Sequence, residues 1–585
     1  MKCRKDKSKK SILLGHLSAE AMEVVVKAKA DTMMAELGEI HSYVEDEYET
    51  IDRYYNKCRS INRKEYMRIR MKYHDFYSND TSDVRLALTF KALFGLDWTY
   101  DGYTFYHFNG VYWEPDQGND QLVKDLSSDL AKVYQDMVIE LKVKISKTEV
   151  DARKPLEARL DDLRKQVKTL QTSTSVMGVI RMLRTRIKNP YLKLDLSEYY
   201  FAFTNKIFDI RLNRTVDPED VKYDYITRCA GYNHKKATAA ELSEVWKILN
   251  VTFQDEAERD FYIYLLSTGI WGKTLQRIIL ANGTGGNGKG MIHGLVRAAL
   301  GDYSYVMQSA SLMGGKKTGP NVEIASLHLM RLGIAMEPDD KGNSSLSLAT
   351  CKELTGGDEV NARMCQSNNT KTKLKLTLIM ECNGRPKIDG PMNDAEARRI
   401  IDFKFRTCFK SKKKWDKLTD EQKASPLYVQ ADNRMDDKSN QHRLKYAVFE
   451  VLATYFKKFY EDGADIEQYM PDTVEDRTNE YLNQNDTIAC FFEENCVRDP
   501  KSILIIKSDL LDLYRNSPYA NHNARIGKFK EDIQSSLYMT EYYKDRLKRG
   551  INNAAMFEYS KITKDSVRSV IVGWALKDRF HDDDE

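Results

Sequence analysis

Hydrophobic spacing changes period several times along the chain, and each change predicts a different element. Helical spacing runs from Ala19 to Ala35 and from Lys57 to Lys72, in a charged, tyrosine-rich region. From Val84 the pattern becomes short aromatic, alternating segments separated by Gly102, Asn109 and Gly110, a hairpin signal ending at Tyr112, Trp113 and Glu114. Those aromatics build a core or stack on bases, and spacing does not choose. Helical spacing with alternating charge returns from Gln121 to Ile187, as on an exposed helical hairpin, and strand signals follow from Tyr191 to Tyr225. KKATAA (235–240) is predicted to be a linker, Ala240 to Gly272 two helices, and Leu275 onward an apolar strand, a glycine-dense loop and a further helix. Apolar strands are also predicted at Met330–Met336 and Leu374–Glu381, and an apolar-striped helix at Leu444–Tyr460.

These elements predict a multidomain chain: a charged helical segment over 1–83, an α+β domain over 84–235, an α/β domain over 240–465 and a small helical domain over 470–580. Length alone calls for several cores, since the chain has 585 residues. Lys plus Arg number 91 against 87 Asp plus Glu, so a nucleic-acid surface has to be a local patch. Nine cysteines without a C-x-x-C pair argue for reduced thiols and against structural zinc. The apolar run Ile12–Leu14 is too short for a secretory signal, no stretch approaches a membrane span, and the acidic end HDDDE is expected to be disordered. A soluble protein is expected.

The chemistry concentrates at LQRIILANGTGGNGKGMIHGLV. Written against G-x-x-x-x-G-K-[ST], it supplies Gly283, Thr284, Gly285, Gly286, Asn287, Gly288 and Lys289, with Gly290 and Met291 after the lysine. Glycines let the backbone aim N–H groups inward, and the helix start offers its positive end to a polyphosphate. Gly290 stands where a Mg²⁺-binding hydroxyl belongs, leaving water or a carboxylate for that place. MRLGIAMEPDD ends a strand in Glu337, with Asp339 and Asp340 beyond, the acids a phosphoryl-transfer site needs for Mg²⁺ and for the attacking water. Asn383 ends the next strand as a γ-phosphate sensor. Arg398 and Arg399 precede another strand as candidates for an arginine finger, and the sequence does not separate them. Arg363, Lys371 and Lys373 flank a polar tip at Ser367–Thr370, in a hairpin whose cations would grip a phosphodiester backbone.

The ordered set GTGGNGKG, RLGIAMEPD, KELTGGDEVNAR, CNGRPKID and EARRI resembles that of viral superfamily 3 helicases, specifically the poxvirus-type primase-helicase NTPases of large DNA viruses and some phages. FAFTNKIFDIR and the aromatic hairpin are similar to the domain preceding that helicase, so the likeness spans roughly Val84 to Phe405. It implies an AAA+-like ATPase domain with a winged-helix-type domain behind it, ATP and Mg²⁺ between subunits, and a homohexameric ring around single-stranded DNA at a replication fork. Implied roles are Lys289 for phosphate, Glu337 with Asp339 for Mg²⁺ and water, Asn383 as sensor, Arg398 or Arg399 as finger, and Arg363, Lys371 and Lys373 on DNA. Implied too are a primase, a polymerase or processivity factors as partners, and a viral replication site in host cytoplasm or nucleus. The first 80 residues lack the paired strand-borne acids of a primase, leaving a fragment or a separate primase as the readings. Two alternatives stand beside the helicase. One is a nucleotide kinase, whose loop also places glycine after lysine but continues with Thr where this chain has Met291. The other is a nucleotide- and DNA-binding ring with weak hydrolysis, for which Gly290 is the motive.

Overall fold

A computed structural model describes residues 81–313, 322–336, 345–362, 370–388, 397–432, 437–519, 525–536, 538–539, 557–563 and 566–577. The expected helices before residue 81 and the acidic end lie outside them. The chain divides into two compact units: one reaches Leu196 and regains Val216–Thr227, the other holds Ser197–Thr215 and Arg228 onward.

In the first unit, Ser82 caps the helix Asp83–Phe94 by accepting from Arg85 N, and the helix buries Leu86, Ala87, Phe90 and Leu93. The aromatic stretch forms an antiparallel meander of Trp98–Tyr100, Phe105–Phe108 and Trp113–Asp116. Asp101 and Asn109 shape its turns by accepting from the backbone N–H groups of Tyr103 and Thr104, and of Val111 and Tyr112. Trp98, Phe105, Phe108 and Trp113 are buried, so these rings are core and not a stacking platform. The helical turns Asp120–Lys124 and Asp125–Leu130 and the helices Ala131–Lys147, Lys154–Leu170 and Ser173–Arg186 pack into the same core. Val216–Thr227 is tied back by a buried ion pair, Lys222 Nζ to Asp97 Oδ1 at 2.7 Å, and by Trp113 Nε1 donating to Lys222 O at 2.7 Å.

The second unit is built on five parallel strands: Ile278–Asn282, Ser304–Met307, Leu332–Ala335, Thr377–Cys382 and Ile400–Lys404. Named by first residue, their order across the sheet is Ile400, Ile278, Thr377, Leu332, Ser304. Side chains alternate between faces, so Ile279 and Ala281 join one core while Ile278 and Leu280 join another. Helices Ala239–Thr252, Glu256–Ser267, Lys289–Leu300 and Lys438–Glu461 cover the first face; Leu348–Thr355 and Asp472–Asn485 contribute to the second. Sheathing on both faces explains why these strands are continuous apolar runs. Among the described residues no helix is long and apolar enough to cross a membrane.

Two sequence expectations change. KKATAA is no linker: Thr238 and Glu241 form a capping box that opens the helix at Ala239, and Ala237 N donates to Glu450 Oε1 at 2.6 Å. The C-terminal segment is not purely helical. Strands Cys496–Ile505, Phe557–Thr563 and Ser566–Leu576 make an antiparallel sheet that packs with Phe491, Phe492, Tyr514 and Phe529. The β-branched run SVRSVIV favours extended backbone over the helix that its apolar content also permits.

Candidate functional site

The Ile278–Asn282 strand carries the chain to the carboxyl edge of the sheet, where Gly283 N donates to Cys382 O at 3.1 Å. The loop that follows turns through left-handed backbone at Gly286 (φ 77°) and Gly288 (φ 87°). A Cβ on Gly288 would lie 2.9 Å from the Phe409 ring and 3.3 Å from the Thr252 methyl carbon, whereas Gly285 and Gly290 face open space. Thr284, Gly285, Gly286 and Gly290 form an exposed rim over a buried floor of Asn287, Lys289 and Met291. From the first turn of its helix Lys289 reaches back, its Nζ donating to Gly283 O and, at 3.3 Å, to Asn383 Oδ1. Asn287 Oδ1 accepts from Lys289 N at 3.3 Å, while its buried Nδ2 has no partner. Lys289 and Asn383, 94 positions apart, thus meet at one sheet edge.

Below the loop lies a group that the sequence did not reveal. His293, one helical turn after Lys289 and 1% exposed, shares a 2.5 Å hydrogen bond between Nδ1 and Glu381 Oε1 and a 2.6 Å one between Nε2 and the Tyr262 hydroxyl. Burial works to raise the Glu381 carboxyl, but the His293 hydrogen bond and the charges of His293, Lys289 and Arg297 hold it below its ordinary value. Burial and the neighbouring Glu381 push the Tyr262 hydroxyl well up, so it stays protonated. The available signal was a lone carboxylate in the apolar run LTLIMEC. Arg385, after Asn383, is a second omission: its Nε donates at 2.9 Å to the wholly buried Asp402, and its Nη2 lies 3.1 Å from Glu480.

The two arginines differ. Arg399 is buried, and its Nη1 donates to Thr355 Oγ1 at 3.3 Å while Nε has no partner; Arg398 is exposed. Burial first, then the charges of Arg398 and Arg277, lower the Arg399 pKa. Both precede the Ile400–Lys404 strand, with Arg399 O accepting from Ile278 N at 2.6 Å, and so sit at the amino edge of the sheet, opposite the glycine loop. Glu359–Ala362 and Thr370–Lys373 pair antiparallel, Lys371 opposite Asn361, and Lys373 is exposed. Arg363, the hairpin residues 364–369, Glu337, Asp339 and Asp340 lie outside the described residues. Among those described, no group of three or more His, Cys, Asp or Glu side chains is set to hold a metal ion.

Fold and site define a multidomain α/β protein whose parallel sheet gathers a glycine loop, a buried lysine and a strand-end asparagine at one edge. Residues 87–254 match the family described as "D5 N terminal like". The chain is 26% identical over 267 residues to "Primase D5" of fowlpox virus, covering 44% of this chain and 33% of that protein. It is 25% identical over 269 residues to "Uncoating factor OPG117" of monkeypox virus, 44% and 34% respectively, and 23% identical over 276 residues to C962R of African swine fever virus, 46% and 27%. The match to the fowlpox and monkeypox proteins spans about a third of their length. The chain is thus similar, over part of its length, to these poxvirus and African swine fever virus proteins, and the matches support the poxvirus-type family that its motifs resemble.

Proposed function

We propose that the chain binds ATP with Mg²⁺ on the Gly283–Met291 loop and uses its hydrolysis to drive a ring of identical subunits, six by family resemblance, along single-stranded DNA during viral genome replication. The carrying observation is the Lys289 ammonium held between Gly283 O and Asn383 at the carboxyl edge of a parallel sheet, under an open rim of glycines. The residues fit a triphosphate: the buried Asn287 Nδ2 lacks a partner, and Lys289 is held by oxygens it can exchange for those of phosphate. ATP with Mg²⁺ supplies the cleavable bond and charge neutralisation. Lys289 would turn from Gly283 O and Asn383 toward phosphate, freeing the Asn383 amide to report occupancy. Glu337, with Asp339, takes the Mg²⁺ and water roles in this proposal.

Arg398 is assigned as the finger. A five-residue strand separates it from the level of its own loop, roughly 16 Å at 3.3 Å per residue, so it would serve a neighbour's site. Arg399, facing Thr355, holds the strand's start. Arg363, Lys371 and Lys373 would contact DNA, and a winged-helix role for the C-terminal unit and contacts with a primase, a polymerase or processivity factors complete the proposal. A second reading is favoured by the open space at Gly290, where no hydroxyl is offered: a nucleotide- and DNA-binding ring with weak hydrolysis, acting as a loader. ATP hydrolysis and strand displacement, each with and without single-stranded DNA, test the proposal. DNA-stimulated turnover lost in Lys289→Ala supports the motor. Binding without turnover supports the loader, and phosphotransfer to a nucleotide without DNA a kinase.

A further inference from the structure

From Phe405 to Phe409 the chain leaving the Ile400–Lys404 strand runs past the base of the glycine loop and the helices Ala239–Thr252 and Glu256–Ser267. Phe405 N donates to Asn282 O at 2.7 Å, Arg406 Nη2 to Glu258 Oε1 at 2.9 Å, Thr407 Oγ1 to Thr252 O at 2.7 Å, and Phe409 N to Gly286 O at 2.7 Å. The Phe409 ring covers Gly288. The chain then makes a closed excursion. Its ends pair in parallel, Cys408 with Tyr428 and Lys410 with Gln430, fastened by Cys408 N to Leu427 O at 2.7 Å and Ala431 N to Lys410 O at 2.8 Å. The excursion begins with Lys410 and the turn Lys412–Trp415, followed by Lys417. Lys412, Lys413, Lys414 and Lys417 are exposed, and none has a carboxylate partner among the described residues. A second turn, Asp420–Ala424, is fixed by its own capping box of Thr419 and Gln422.

A charge run is ordinarily a solvated face, but this one is held in shape and bonded by its first strand to the peptide at Gly286. We infer that the Lys410–Lys417 arm is a second contact for the phosphate backbone of single-stranded DNA, its position set by the glycine loop through Phe409. The inference rests on the proposed nucleotide site only for the coupling. Unpaired ammonium groups on a fixed turn release counterions when they meet phosphates, and a loop that rearranges around a ligand moves the Gly286 carbonyl, and with it the arm.

The test is binding of a fluorescent oligothymidylate by the full chain across a salt series, with and without a non-hydrolysable ATP analogue. Lys412→Gln, Lys413→Gln and Lys414→Gln together are expected to flatten the log K against log salt slope by about 2, and to weaken binding about tenfold to a hundredfold near 0.1 M salt, at about 0.7 for each phosphate no longer neutralised. Control changes Lys142→Gln, Lys144→Gln and Lys147→Gln, on an exposed face of the first unit, leave the slope in place. An unchanged slope in the arm variant, or an equal fall in the control, overturns the inference, the first also being the outcome if the arm serves an acidic protein. Phe409→Pro, which removes both the N–H donated to Gly286 O and the ring over Gly288, is expected to keep DNA binding but lose the analogue's effect on it, and retention of that effect overturns the coupling. Nucleotide affinity measured without DNA stands apart: wild type that binds no nucleotide sinks the proposed site while leaving the slope result to judge the arm.

Discussion

Gly288 and Gly290 flank the same lysine and make opposite demands. Gly288 has φ 87°, and an added Cβ would lie 2.9 Å from the Phe409 ring and 3.3 Å from Thr252. Left-handed backbone costs an L-residue about 1–2 kcal/mol, and forcing a methyl into a filled space about 1–3 kcal/mol more. Gly288→Ala is therefore expected to destabilise the second unit by roughly 2–5 kcal/mol. At Gly290 nothing lies within 4 Å of the added carbon, and the residue is on the helix Lys289–Leu300. Gly290→Ser is expected to leave stability unchanged or raise it by up to about 0.5 kcal/mol through helix propensity. Urea unfolding followed by far-ultraviolet circular dichroism compares the midpoints. Gly288→Ala should also weaken nucleotide binding by more than about tenfold, because the N–H cradle loses its turn. Equal midpoints for the two variants, or a larger loss at Gly290, would refute this account of the loop.

Other residues give separable outcomes. Arg398→Ala should lower DNA-stimulated ATP turnover with no change in melting, and Arg399→Ala should lower melting itself; the reverse pattern would reassign the finger. Arg385→Ala leaves Asp402 buried without its cation and is expected to cost about 3–5 kcal/mol in chemical denaturation; Asp402→Asn in the same background should recover part of it. Glu381→Gln should cost about 1–3 kcal/mol at neutral pH. Because the folded state holds Glu381 below its ordinary value of 4.5, that stability is full above the ordinary value and disappears as pH falls through the folded one. The gap between variant and wild type should therefore close on acidification below 4.5, and a gap that widens there would contradict the assignment.

What was legible depended on whether the signal was local. The apolar strands and the glycine loop are contiguous stretches, so pattern located them. Tyr262, His293 and Glu381 are separated by 31 and 88 positions, and only the parallel pairing of the Ile278 and Thr377 strands brings the helix after the loop over Glu381. Likewise Arg398 and Arg399 are equivalent in sequence, and the register of the Ile400 strand buries one and exposes the other. Lys222 returns to the first unit through Asp97, 125 positions away, which places a unit boundary where composition does not change. The Thr238–Glu241 capping box was readable in KKATAAEL, but the run of small residues suggested a linker.

The most direct measurement is equilibrium binding of a fluorescent ATP analogue with Mg²⁺ to wild type and Lys289→Ala, both checked for equal melting. The account predicts saturable binding to wild type, displaced by ATP, and its loss in the variant together with protection of the Gly283–Gly288 amides from exchange in wild type alone. Equal binding by both proteins, with protection elsewhere in the chain, would contradict it.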